Sequence, residues 1–84
     1  MRSDTIGQRL KLARDKAGWT VRDLAQRSGV SHSSISDVEL GRMPRADTIE
    51  RIASALKVDP CWLTFGDTSK APEWLSDSDK TAER

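Results

Sequence analysis

Between Ser31 and Asp37 the chain places its single histidine, four serines and an aspartate within seven positions, SHSSISD. An imidazole beside hydroxyl groups is the raw material of nucleophilic catalysis, since the ring can take the hydroxyl proton. A working nucleophile, however, draws its base, its orienting group and its oxyanion donors from separate elements that converge. Neighbours at one end of one element cannot converge in that way, so no enzyme is expected. The plainer use of the same residues is a solvated helix start, where a Ser hydroxyl satisfies exposed amides. On residue types alone that reading stands.

Other chemistries run out of residues. One histidine (His32) and one cysteine (Cys61) cannot complete the usual four-ligand zinc site, and one cysteine makes no internal disulfide. Cys61 reads as a small hydrophobe or a half-exposed thiol. No cofactor is called for. The longest apolar run is Cys61-Trp62-Leu63, far short of a membrane span or a signal-peptide core, so no membrane partner and a cytoplasmic chain are expected. No small-molecule substrate is evident. With 84 residues, 36% hydrophobic and 32% charged, the chain suits one folded domain with a modest core. The net charge of +1 conceals a division. Residues 1–66 hold eleven basic and eight acidic residues, whereas residues 67–84 hold three basic and five acidic.

The elements that must position these groups are helical, for no period-two alternation is present. The first helix begins near Asp4 or Thr5, carries Ile6, Leu10, Ala13 and Ala17 on one face, and ends at Gly18. The second opens at Thr20, is supported by Asp23, and stops at Ser28-Gly29. A third takes Ser31 as its cap, turns Ile35 and Val38 to one side, and ends at Gly41. The fourth aligns Ile49, Ile52, Ala53 and Leu56, with its start at Asp47 or two residues earlier. The fifth follows Asp59 and Pro60 and closes at Gly66. Five short helices without a sheet must pack on one another, which predicts an all-α, compact five-helix bundle over residues 1–66. Residues 67–84 read as an acidic tail or linker, in which the apolar pair Trp74-Leu75 must find cover on its own domain, across a dimer or in a further domain. Trp19 is expected at the junction of the first two helices, and Arg2, Arg9, Lys11 and Lys16 on a solvated face.

The stretch TVRDLAQRSGVSHSSISDVELG, Thr20 to Gly41, has two short helices joined around a glycine, the helix-turn-helix unit. Ala25 is small where the next helix crosses, Gly29 ends the first helix, and Val30 fills the corner. Ala25, Gly29, Ile35 and Val38, with Leu24 and Val30, resemble the pattern of the phage-repressor and Cro-like helix-turn-helix transcriptional regulators. Ile6-Gly7-Gln8-Arg9-Leu10 looks like that family's first helix, and Glu39-Leu40-Gly41-Arg42 like its third-helix exit. Ile52-Ala53-Ser54-Ala55-Leu56 and Asp59-Pro60-Cys61-Trp62-Leu63 are similar to its fourth and fifth helices. The likeness covers roughly four-fifths of the chain.

That resemblance implies a sequence-specific DNA-binding regulator, a repressor that occupies a palindromic double-stranded operator as a homodimer with the third helix in the major groove. It gives base reading to His32, Ser33, Ser36 and Asp37. Asp37 could accept only from an amino group such as that of cytosine. Phosphate contacts fall to Arg42 and Arg45 and to the amides of Val21 and Arg22, although many relatives carry Gln in place of Val21. Arg14 and Glu39 are implied as an ion pair between helices one and three. Trp62, Leu63 and Phe65, with Trp74 and Leu75, are implied at a dimer interface. Two alternatives remain beside it: a protein-interaction module of the same fold, and an antitoxin or restriction-controller regulator. Several such repressors continue into a further domain, so the chain could be a short regulator or an amino-terminal portion.

Overall fold

A computed structural model describes residues 5–75. Five α-helices follow in order: α1 Ile6–Ala17, α2 Val21–Ser28, α3 His32–Glu39, α4 Ala46–Leu56 and α5 Pro60–Phe65. A 3-10 turn, Thr68–Lys70, comes after them, and no strand forms among the described residues.

Local chemistry sets most boundaries. The Thr5 hydroxyl accepts from the Gln8 amide at 3.1 Å and opens α1. At α2 the exchange is reciprocal: the Thr20 hydroxyl accepts from the Asp23 amide at 3.1 Å, and the Asp23 carboxylate accepts from the Thr20 amide at 3.0 Å. Ser31 caps α3 through the Ser34 amide, and Asp59 caps α5 through the Cys61 amide. Between α2 and α3, Gly29 turns the chain at φ 75°, a left-handed geometry that a Cβ would strain. At α4 the earlier of the two starts left open by the sequence is the one taken, and at α3 the end differs from the sequence reading. Helix α4 takes Arg45 as its cap, so Asp47 lies in the first turn, where its charge meets the positive end of the helix. Helix α3 ends at Glu39 with Leu40 as its cap, ahead of Gly41.

The buried faces meet in one core. Leu10, Leu24, Ile35, Ile52, Trp62 and Leu63 are its fully enclosed large side chains, one or more from every helix. Helix α1 packs on α3 and α5, α2 on α3 and α4, and α4 on α5. The approach of α1 to α3 is unusually close. A Cβ on Gly7 would sit 2.5 Å from the Val38 carbonyl oxygen and 2.9 Å from that of Glu39, both rigid backbone atoms.

The packed body reaches beyond residue 66. Ala71, Trp74 and Leu75 lie half-buried against the core, and Trp74 meets Trp62 edge to face, centroids 5.9 Å apart at 88°. Of the three covers the sequence left open for Trp74 and Leu75, their own domain supplies one; residues 76–84 lie outside the described residues, as do Arg2 and Asp4. Arg9 also departs from expectation. It is 5% exposed, with Nε donating to the Leu63 carbonyl and Nη2 to that of Thr64, each at 2.8 Å. The last carbonyls of a short helix want donors, and the side chain of Arg9 brings them with charge of the favourable sign.

Replacing Gly7 by Ala should force α1 and α3 apart, with an expected loss of about 1–3 kcal/mol in urea unfolding despite the better helix propensity of Ala.

Candidate nucleic-acid interface

Helix α3 has two opposed faces. Ile35 and Val38 are buried, whereas His32, Ser33 and Asp37 are exposed and Ser36 is half-buried beside them. The four residues expected to read bases thus share one side of one helix, three fully open. Ser31 and Ser34 serve the helix start instead, where the Ser31 hydroxyl donates to Ser34 Oγ at 2.9 Å.

The direction of that open face is fixed from behind. Arg14 in α1 donates through Nε to Glu39 Oε2 at 2.8 Å and through Nη2 to Oε1 at 3.2 Å. Its Nη1 donates to the Trp19 carbonyl at 2.9 Å. The side chains of Arg14 and Glu39 are 12% and 16% exposed, so the pair expected from the sequence is present, mostly buried and bidentate. The hydrogen bonds to Glu39 hold the Arg14 guanidinium protonated more firmly than a free one, outweighing the opposing effect of burial. A third contact stiffens the corner: the Arg27 guanidinium lies 4.6 Å from the Trp19 ring centroid.

The groups that the sequence resemblance implied for phosphate contact lie outside α3. Arg22, Arg42 and Arg45 are exposed. Arg45 approaches Asp47 only at 4.0 Å with both side chains open to solvent, a contact that does not tie it down. The Val21 side chain packs half-buried against the core, and its backbone amide lies in the first turn of α2.

The expected interface residues divide. Trp62 and Leu63 are 2% and 1% exposed, side chains of this domain's own core. Burial satisfies them within one chain. Trp74 and Leu75 cover that core and keep part of their surface outside. Phe65 is 78% exposed and alone of the five stands fully open. Cys61 is exposed and free. Sequence reasoning missed the role of Arg9, although its place beside Leu10 and three residues after Ile6 sets it on the apolar stripe, a poor address for a solvated charge. Among the described residues no cluster of His, Cys, Asp and Glu could hold a metal, and no helix is long and apolar enough to cross a membrane.

Residues 10–63 match a family model described as helix-turn-helix, and the chain belongs to that family. Curated relatives agree. The transcriptional regulator DicA of Escherichia coli K12 is 35% identical over 69 residues, 81% of this chain and 51% of DicA. The transcriptional repressor RghR of Bacillus subtilis is 39% identical over 57 residues, 66% of this chain and 42% of RghR. The chain thus spans about half the length of DicA and under a third of the regulators of conjugative elements SXT and R391. Two solved structures share the fold. The N-terminal DNA-binding domain of SinR from Bacillus subtilis matches at TM-score 0.66 and 33% identity, over 69% of this chain and 87% of that one. The DNA-binding domain of the P22 c2 repressor matches at TM-score 0.70 and 28% identity, over 80% and 90%.

Two outcomes follow from the geometry. Arg14→Ala should strand the largely buried Glu39 carboxylate and cost on the order of 2 kcal/mol or more, and Glu39→Gln should cost less; a double-mutant cycle in urea should give a coupling well above that of a surface pair. The hydrogen bonds from Thr20 hold the Asp23 carboxyl below the usual carboxylate range. A depressed native value means its stabilising effect is present above the unfolded value, about 3.9, and is lost as pH falls through the native one. Thermal unfolding between pH 5 and 2 should therefore show a shallower acid loss for Asp23→Asn, which is already the weaker protein at pH 7.

Proposed function

We propose that this chain is a sequence-specific DNA-binding transcription regulator. Its α3 lies in the major groove of a double-stranded operator and two copies engage two-fold-related half-sites, repressing by occlusion in the cytoplasm. The observation that carries the reading is the division of α3: Ile35 and Val38 turned inward, with His32, Ser33 and Asp37 left open on the other side. A helix anchored to its own core on one side and polar on the other suits a groove about 12 Å wide. Exposed Arg22, Arg42 and Arg45, together with the Val21 and Arg22 amides, supply the backbone contacts that set register. His32, Ser33, Ser36 and Asp37 read base edges. Homodimerisation rests on Phe65, open at the end of α5, with the outer edges of Trp74 and Leu75. Two such copies would set their α3 helices one DNA turn apart, about 34 Å. The reading calls for no cofactor, no small-molecule substrate and no bond-making step.

A second reading, a protein-interaction module, is favoured by one feature: the open face of α3 carries the carboxylate of Asp37 and no Lys or Arg.

The test is a titration against DNA selected from random sequence, followed across salt. Binding should saturate and weaken steeply as salt rises, because neutralised phosphates release their counterions. Arg42→Ala should weaken selected and random DNA alike and reduce the salt slope by about one per copy. Absence of any selected site would favour the interaction module.

A further inference from the structure

The outward face of α3 does not stop at Asp37. Leu40 is 81% exposed, although it caps a helix whose other large apolar residues are fully buried. Its backbone stays right-handed (φ −84°, ψ −2°), and its amide donates to the Ser36 and Asp37 carbonyls at 3.0 and 3.1 Å. Leu40 therefore continues the helical spiral. Counting roughly 100° per residue from His32, Ser33 and Ser36 fall at about 100° and 40°, Asp37 at about 140° and Leu40 at about 80°. Leu40 sits in the middle of the stripe, one turn beyond the residues already assigned, while Ile35 and Val38 point the other way.

The chemistry around it narrows the partner. The stripe offers an imidazole, two hydroxyls and one carboxylate, with no Arg, Lys, Asn or Gln for a two-pronged purine contact. The major groove presents one apolar feature, the methyl group at C5 of a pyrimidine. Arg42, two residues on and exposed, is a cation of the kind that contacts a phosphate backbone. Resting on the DNA-binding reading above, we propose that Leu40 is a specificity-determining residue that packs on the C5-methyl of a pyrimidine, thymine or 5-methylcytosine, at one position of each half-site.

The experiment uses the full chain and its selected site, with each thymine replaced in turn by uracil, which removes only the methyl group. Fluorescence anisotropy should find one position per half-site where uracil weakens binding roughly three- to tenfold, the scale of one buried methyl group and its contacts. Cytosine placed there should bind more weakly than 5-methylcytosine, and comparison of the two methylated bases shows which is preferred. Leu40→Ser, on a side chain outside the core, should keep the wild-type melting temperature. It should bind thymine and uracil sites equally. Two results would overturn the assignment: wild-type indifference to uracil at every position of a specifically bound site, or an unchanged thymine-to-uracil ratio in Leu40→Ser, where an equal loss on both sites would mark a backbone contact. Failure to select any site would sink the DNA-binding reading itself, and this assignment with it.

Discussion

One planar cation holds the functional half of this domain in place. The Arg14 guanidinium bonds at once to both oxygens of Glu39 and to the Trp19 carbonyl, so it joins the end of α1, the turn into α2 and the end of α3. A fork of fixed geometry resists rotation as well as separation, which a single flexible ammonium would not. Because both side chains are largely withdrawn from water, each needs the other; the interaction is stronger than on the surface, and its loss would leave a charge without a partner. Gly7 completes the constraint by letting the α1 backbone lie directly on the Val38 and Glu39 carbonyls. With α3 clamped at its far end and packed through Ile35 and Val38, the direction in which His32, Ser33 and Asp37 point is a property of the whole domain.

The same pair settles the electrostatics. Helix α3 carries two carboxylates, Asp37 and Glu39. Glu39 spends its charge on Arg14 within the protein, and Asp37 alone remains on the open face. The exposed Arg22, Arg42 and Arg45 stand outside α3, at the start of α2 and in the segment leading into α4.

At the other end of α1, Arg9 does for α5 what Arg14 does for α3. It satisfies the Leu63 and Thr64 carbonyls and rests against Gly66, where a Cβ would come within 3.0 Å of Nη1. The chain then leaves α5 at an angle that brings Trp74 onto the edge of Trp62. Trp62 and Leu63, which read from the sequence as part of a subunit contact, are thereby packed within the domain, while Trp74 and Leu75 stay half-buried and Phe65 exposed.

Much of this was legible in the sequence, because local rules act over a few residues. Thr20 with Asp23, Ser31, Asp59 with Pro60, and the glycines after α1, α2 and α5 mark helix ends through bonds to their nearest neighbours. The 3.6-residue period separates Ile35 and Val38 from the polar side of α3. The start of α4 was less legible because Arg45 caps it with no side-chain bond. Only tertiary structure decided the rest. Nothing within a few residues of Arg9 marks it as a donor to carbonyls 54 and 55 positions away, and composition alone makes residues 67–75 look like a polar tail. Whether an aromatic residue ends in the core or on the surface depends on which elements reach it, and for Trp62, Phe65 and Trp74 that was settled by packing between segments that the sequence keeps apart.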